Sequence, residues 1–189
     1  MAFIQELDMN IVCYIHEHWH NFITDGFFTF VTFLAEGGII WIVASLIMLC
    51  SRKWRPAGVI LLLSLGISAV FTNLVIKNII CRPRPFNANP ELSLIIDIPH
   101  GLYSFPSGHS TSSGAGAAAI MLRNKKLGIA AIVIALMIGF SRVFMAVHYP
   151  TDVLCGLILG AVCSVIIWRF MYGSAEALLE RIPPKKTKQ

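Results

Sequence analysis

The chain of 189 residues is 56% hydrophobic and 13% charged, and its mean hydropathy is +0.72. Soluble domains carry roughly 25% charged residues, and a single core of this size is too small to bury so much apolar surface. Much of that surface must face lipid, which excludes a soluble enzyme, a disordered protein and a nucleic-acid-binding module. The formal net charge of +5 is less informative than the positions of the charges.

The N-terminal segment, residues 1–25, contains no Lys or Arg. Its residues 4–22 predict an amphipathic helix in the membrane interface, with Trp19 at headgroup depth. His16 and His20 share one face of this helix but His18 points away, so the three imidazoles do not converge on a metal ion. We therefore expect no metal site here.

Four apolar stretches and one weaker stretch rich in Ser, Gly and Ala follow this segment. They are residues 27–50, 57–76, 110–122, 127–140 and 153–168. Glu36, Gly37 and Gly38 interrupt the first stretch, so it forms either one span or two short helices. The sequence therefore predicts an all-α polytopic transmembrane bundle with five to six spans plus the N-terminal amphipathic helix, in one domain over residues 1–189.

The fifteen Lys and Arg residues separate into two groups. Eleven fall on one face if every stretch crosses the membrane: Arg52, Lys53, Arg55, Arg123, Lys125, Lys126, Arg169, Arg181, Lys185, Lys186 and Lys188. The positive-inside rule makes that face cytoplasmic, with residues 173–189 as a basic cytoplasmic tail. The other four, Lys77, Arg82, Arg84 and Arg142, map to the outer ends of helices and must have another role.

These outer cations belong to three clusters at helix ends. The clusters are residues 77–85, residues 106–109 and residues 141–152. Lys77, Arg84 and Arg142 offer cations that match phosphate oxygens. Ser107 is a good N-cap, and the amides of Gly108 and His109 would point out of a helix N-terminus toward an anion.

The same clusters hold groups for phosphoryl transfer. His109 and His148 can each act as nucleophile, acid or base near neutral pH. Pro150 favours the start of a helix and puts Asp152 in its first turn, within reach of His148. A carboxylate there can orient an attacking imidazole. Together the clusters predict a phosphoryl-transfer site without a metal or other cofactor.

Three motifs in these clusters resemble those of the type 2 phosphatidic acid phosphatase (PAP2) superfamily. Lys77, Arg84 and Pro85 are similar to the first motif, and residues 106–109, Pro-Ser-Gly-His, to the second. The third is matched by Ser141, Arg142, His148 and Asp152. The motifs occur in order and, with their connecting spans, indicate a catalytic core over residues 56–172.

The resemblance implies a role for each matching residue. His148 would attack phosphorus and form a phosphohistidine, Asp152 would orient it, and His109 would protonate the leaving oxygen. The non-bridging oxygens would be held by Lys77, Arg84, Ser107, Gly108 and Arg142. Arg82 lies outside the motif pattern, and supporting the anion field or binding headgroups is a hypothesis for it.

The implied function is a metal-independent membrane phosphatase acting on lipid phosphates or diphosphates at the outer leaflet. Undecaprenyl diphosphate is the first candidate substrate, which would connect the protein to the cell wall. Phosphatidic acid and phosphatidylglycerol phosphate, substrates of phospholipid metabolism, come next. The loop over residues 86–105 is expected to frame the entrance, with Leu94, Ile95 and Ile96 dipping into the leaflet.

Two other classes remain as alternatives. Vanadium-dependent haloperoxidases share this type of anion site, but their chains are soluble. A lipid-binding or transport protein could use the anion site without hydrolysis, although it would not need a nucleophile with an orienting carboxylate. The expected partners are the lipid substrate and the plasma-membrane bilayer and not nucleic acid, and the oligomeric state is not predicted.

Overall fold

The computed structural model describes residues 2–92, 94 and 103–180, with side chains for residues 3–92, 94 and 103–174. Nearly all of these residues are helical, and the extended pairing is an isolated bridge between Pro83 and Tyr103. The predicted all-α class is therefore confirmed. Ile95, Ile96 and the basic residues 181–189 lie outside the described residues.

The helices follow one another with short connections. In chain order they are α1 (Ala2–His18), α2 (Phe22–Leu34), α3 (Ile39–Cys50), α4 (Arg55–Val70), α5 (Lys77–Ile80), α6 (Pro85–Ala88), α7 (Gly108–Arg123), α8 (Lys125–Phe144) and α9 (Pro150–Glu180). A 3₁₀ turn, Glu36–Gly38, joins α2 to α3, and a π-helical segment, Phe71–Ile76, joins α4 to α5. Helix α9 continues past residue 172, where the sequence placed the end of the catalytic core.

Three stretches are long and apolar enough to cross a membrane: Arg55–Ile80, Lys125–Phe144 and Pro150–Ser174. Helices α2 and α3 together add a fourth if the bent pair is one span. The predicted five to six spans are thus not confirmed over the described residues. Helix α7 has 16 residues, fewer than the ~20 that a spanning helix needs, and much of it is buried by its neighbours.

The turn between α2 and α3 explains why residues 27–50 do not form one straight helix. Gly37 and Gly38 have φ angles of 57° and 73°, a region that favours glycine. The two helices meet at an angle of 42°. A Cβ on Gly38 would lie 3.5 Å from the Ser112 side chain, so the bend sits against α7 and carries Glu36 to that end of the bundle.

Helix α7 is the centre of the bundle, as its small residues predicted. A Cβ at Gly114 would overlap the backbone of Leu157 in α9, and one at Gly160 would overlap the carbonyl oxygen of Thr111. The backbones of α7 and α9 therefore touch directly. Hydrogen bonds add to this packing, since the Ser164 hydroxyl donates to the Ala115 carbonyl at 2.8 Å.

Helix α1 packs one face against the turn between α8 and α9. Val12 and Ile15 are buried in a cluster with Val143, Phe144 and the residues that follow. Leu94 packs against the same cluster and is partly buried, which does not support its predicted insertion into the leaflet. The opposite face of α1 exposes apolar side chains, so the interfacial location of residues 1–25 stays a prediction.

The described cations lie at two ends of the bundle, as their sequence positions predicted. At one end the Arg123 side chain donates to the carbonyl of Lys53, which joins the α3–α4 turn to the α7–α8 turn. At the other end Lys77, Arg84 and Arg142 line a common cavity. The two groups are therefore separated along the helix axes.

Candidate active site

A cavity of about 690 Å³ lies where α2, α3, α4 and the start of α7 meet. Its polar part is lined by Lys77, Arg84, Gly108, His109, Arg142 and His148. Its apolar part is lined by residues that include Phe33, Ile42, Leu65 and Ala69. The structure thus brings six of the eight predicted site residues to one cavity that also has an apolar side.

Lys77 reaches the cavity from the end of the long helical stretch that begins at Arg55. The π-helical segment Phe71–Ile76 precedes it, and such segments often occur at functional sites. Within this segment Thr72 is fully buried and its hydroxyl bonds that of Thr111 in α7 at 3.3 Å. This contact fixes the segment to α7 immediately before Lys77.

Arg84 lies in the extended connection before α6 and is almost fully buried. One terminal nitrogen donates to the Val147 carbonyl at 3.0 Å and lies 3.5 Å from Nε2 of His148. Burial lowers the pKa of the Arg84 guanidinium, although it remains a cation at neutral pH. Arg84 therefore places a positive charge directly beside the imidazole.

Arg142 enters the cavity from the last turn of α8 and is also almost fully buried. Its Nη1 donates to the hydroxyl of Thr32 in α2 at 2.6 Å. Its buried Nε has no hydrogen-bond partner among the described residues. A phosphate oxygen in the cavity would supply one.

The N-terminus of α7 is capped by Ser107, whose hydroxyl accepts from the Ser110 amide at 3.3 Å. The Ser107 amide donates to the Asp152 carbonyl at 3.1 Å. Ser107 thus ties α7 to α9 and is not among the residues that line the cavity. A Cβ on Gly108 would meet no heavy atom within 4 Å, so the backbone here is open to a ligand.

His148 is held by the turn between α8 and α9. Ala146 adopts a positive φ of 53°, and the amides of Val147 and His148 both donate to the Arg142 carbonyl, at 3.3 and 3.2 Å. Asp152 lies on the first turn of α9, and its Oδ2 is 3.6 Å from Nδ1 of His148. The Tyr149 amide donates to the same Oδ2 at 3.0 Å.

The imidazole of His148 is neutral in this setting. Burial lowers its pKa to about 3, and the nearby Arg142 and Arg84 also lower it, against the opposing effect of Asp152. With Nδ1 toward Asp152, Nε2 faces Arg84 and the cavity. The lone pair of Nε2 is therefore available to a phosphorus atom held by the cations.

His109 has a partner that the sequence did not identify. Its Nε2 lies 3.3 Å from a carboxylate oxygen of Glu36, in the turn between α2 and α3. The sequence showed Glu36 only as an interruption of an apolar stretch.

Thr32, the partner of Arg142, was missed as well, since one threonine in a hydrophobic helix carries no distinguishing signal.

Arg82 does not line the cavity. It pairs with Asp8 and Asp152 at 2.7 and 2.6 Å, which contradicts the hypothesis that it supports the anion field or binds lipid headgroups.

No group of three or more His, Cys, Asp or Glu that could hold a metal ion occurs among the described residues. The rings of His16 and His20 contact each other edge to face, with centroids 5.0 Å apart.

The sequence matches the family model described as the PAP2 superfamily over residues 57–176. It is 31% identical over 156 residues to undecaprenyl-diphosphatase BcrC of Bacillus subtilis, covering 80% of this chain and 77% of that protein. It is 32% identical over 140 residues to an undecaprenyl-diphosphatase of Sulfolobus acidocaldarius, covering 72% of this chain and 66% of that protein.

Two crystal structures have the same fold. One is the transmembrane PAP2-type phosphatidylglycerolphosphate phosphatase of Bacillus subtilis, with a TM-score of 0.70, 25% identity, and 98% and 90% of the two chains covered. The other is LpxE of Aquifex aeolicus, with a TM-score of 0.71, 22% identity, and 87% and 96% covered.

Proposed function

Since the chain belongs to the PAP2 superfamily, we propose that it is an integral-membrane lipid phosphatase whose preferred substrate is undecaprenyl diphosphate. The observation that carries this proposal is the position of His148, whose Nδ1 lies 3.6 Å from Asp152 and whose Nε2 lies 3.5 Å from Arg84, inside a cavity lined by three cations. A cavity that only binds an anion has no use for a nucleophile backed by a carboxylate.

Phosphoryl transfer depends mainly on positioning and on stabilising charge. Lys77, Arg84 and Arg142 neutralise the non-bridging oxygens of the terminal phosphate, and the amides of Gly108 and His109 add dipoles from the start of α7. Ser107 contributes by fixing the start of α7 to α9. These groups provide the positive charge, so the reaction is proposed to need no metal.

In the first step Nε2 of His148 attacks the terminal phosphorus, and an N–P bond forms as the bond from phosphorus to the leaving oxygen breaks. His109 gives its proton to that oxygen, and undecaprenyl phosphate leaves. Asp152, whose Oδ2 lies 3.6 Å from Nδ1, stabilises the positive imidazole as the bond forms.

In the second step water attacks the phosphohistidine. His109, now neutral, takes a proton from the water, and the N–P bond breaks. Inorganic phosphate leaves, and His148 and His109 return to their starting states. The reaction consumes one water for each phosphate released.

The choice of undecaprenyl diphosphate is supported by two observations. Two similar relatives bear the name undecaprenyl-diphosphatase. The cavity also joins its polar region to an apolar side that includes Phe33, Ile42 and Leu65, which could hold the first isoprene units. Phosphatidylglycerol phosphate is the second candidate, because the structure of a phosphatase for that lipid covers 98% of this chain.

The active site is proposed to lie on the extracytoplasmic side of the plasma membrane, with the C-terminus in the cytoplasm. Among the described residues, the opposite end of the bundle carries other cations, including Arg123 and Lys53, which contact each other. The positive-inside rule makes that end cytoplasmic.

The test is phosphate release by the purified protein in detergent with EDTA present. Undecaprenyl diphosphate, phosphatidylglycerol phosphate and phosphatidic acid are compared as substrates, and we expect the highest kcat/KM for the first. A higher kcat/KM for phosphatidylglycerol phosphate or phosphatidic acid would identify that glycerolipid as the preferred substrate instead. Binding without phosphate release would indicate a lipid-binding protein, and loss of activity with EDTA would contradict the metal-free mechanism.

A further inference from the structure

Arg82 is the outer cation that the proposed mechanism does not use, and it has a defined set of partners. One terminal nitrogen donates to Oδ1 of Asp152 at 2.6 Å and to the Thr151 hydroxyl at 2.8 Å. The other donates to Oδ2 of Asp8 at 2.7 Å. The guanidinium also stacks on Tyr149, 3.8 Å from the ring centroid.

These contacts determine how Asp152 is presented to His148. Arg82 binds Oδ1, and the Tyr149 amide and Nδ1 of His148 face Oδ2. A carboxylate bound at one oxygen by a rigid guanidinium cannot rotate freely about its side-chain bonds. Arg82 therefore directs the second oxygen at the imidazole.

Asp8 completes the arrangement from α1, far away in the sequence. It is buried, and besides binding Arg82 it accepts hydrogen bonds from the Thr151 amide at 3.1 Å and from the Thr151 hydroxyl. The Thr151 amide is at the first turn of α9, where a negative charge is favourable. Asp8 thus fixes both Arg82 and the start of the helix that carries Asp152.

We propose that Arg82 and Asp8 are positioning residues for the phosphatase reaction: Arg82 orients Asp152 toward His148, and Asp8 holds Arg82 in place. The inference rests on the proposed function, because it needs His148 as the nucleophile. It gives α1 a role in positioning the catalytic residues, although α1 lies outside the region that matches the family model. The phosphate-binding cations are not involved, so the effect should fall on kcat and not on binding.

The experiment uses full-length protein in detergent with undecaprenyl diphosphate. The variants are Arg82→Lys, Arg82→Met, and Arg82→Met combined with Asp8→Asn. Wild type and variants are compared by kcat, by KM, by the inhibition constant of inorganic phosphate, and by Tm. The matched control is Arg123→Met, which removes an arginine that makes two hydrogen bonds to the Lys53 carbonyl and lies over the Trp54 ring at the other end of the bundle.

For Arg82→Lys and Arg82→Met we expect kcat to fall about 10- to 100-fold, as for other groups that orient a functional histidine. KM and the inhibition constant of phosphate should stay near wild type. Arg82→Met leaves two buried carboxylates without a cation and should also lower Tm. Arg123→Met should keep the wild-type kcat.

The double variant tests whether kcat falls because Asp152 is no longer positioned or because the charges of the buried cluster are unbalanced. Removing Asp8's charge together with that of Arg82 restores the net charge of the cluster, so Tm should recover while kcat stays low. If kcat recovers with Tm, or if Arg82→Lys keeps the wild-type kcat, the positioning role is overturned. If Arg82→Met does not fold, the kcat of Arg82→Lys alone tests the positioning role. Absence of phosphate release by the wild type would instead refute the proposed function.

Discussion

The Glu36 carboxylate faces His109 at the start of α7, with 3.3 Å between a carboxylate oxygen and Nε2. The pair joins the turn between α2 and α3 to the histidine that is proposed to protonate the leaving group. Glu36 is also the one acidic residue among the described residues that line the cavity. Burial lowers the pKa of His109, and the Glu36 carboxylate opposes this effect by stabilising the protonated imidazole.

Glu36→Gln is therefore expected to impair the acid step. The loss should be larger for phosphatidic acid or phosphatidylglycerol phosphate, which release an alkoxide that needs a proton, than for p-nitrophenyl phosphate, whose phenolate leaving group needs little help. The measurement is the ratio of kcat values for the two substrates in wild type and variant. Glu17→Gln, which removes an exposed carboxylate 4.0 Å from His18, is the matched control. Equal losses on both substrates would contradict the role.

His148→Ala is expected to reduce phosphate release to background, because the variant lacks the imidazole that is proposed to form the covalent intermediate. Rapid quenching of the wild type with labelled substrate should trap a phosphoenzyme that survives base and is lost in acid, and the variant should give none. His18→Ala, at an exposed histidine that bonds only locally to the Tyr14 carbonyl, serves as the control. Substantial turnover by His148→Ala would contradict the assignment of His148 as the nucleophile.

The sequence predicted the cavity well where its residues belong to motifs at helix ends. Lys77, Arg84, Arg142 and His148 each lie within a few residues of a helix boundary, and helix ends on one side of a bundle meet. Gly108 and His109 follow for the same reason, because Ser107 caps α7. The motif spacing did not show that Ser107 is not among the residues that line the cavity.

The partners of these groups were beyond prediction for a physical reason. Asp8 meets Arg82 across 74 residues, and Thr32 meets Arg142 across 110. Such contacts depend on how α1 and α2 pack, and an apolar helix that faces lipid on one side and protein on the other gives no periodic signal of which face is which. The predicted five to six spans are not confirmed over the described residues, because hydropathy alone does not decide whether a short helix rich in small residues, such as α7, crosses the membrane.

The stability of the protein should depend on pH through His148. Its pKa is about 3 in the folded state and 6.5 in the reference state, so the unfolded chain binds more protons between these values. The contribution is fully present above pH ~6.5 and is lost as the pH falls toward ~3. Tm of the detergent-solubilised protein should therefore fall over this range, and His148→Asn should fall less steeply than wild type. Parallel curves for the two proteins would contradict a buried neutral histidine.

Gly160→Ala is expected to damage both stability and activity. Its Cβ would overlap the Thr111 carbonyl oxygen and lie 2.7 Å from the Ala115 amide, so α7 and α9 must separate. Overpacking of this kind costs about 1–3 kcal/mol in the free energy of unfolding. Since α7 carries His109 and α9 carries Asp152, kcat should fall with Tm.

The matched control is Gly66→Ala in α4, where a Cβ meets no heavy atom within 4 Å. Its effect on the free energy of unfolding should stay within about 1 kcal/mol, since only chain entropy changes. Thermal unfolding in detergent and phosphate release are measured on the same preparations. A Gly160→Ala protein with the Tm and kcat of the control would show that α7 and α9 do not make the direct backbone contact on which the geometry of the site depends.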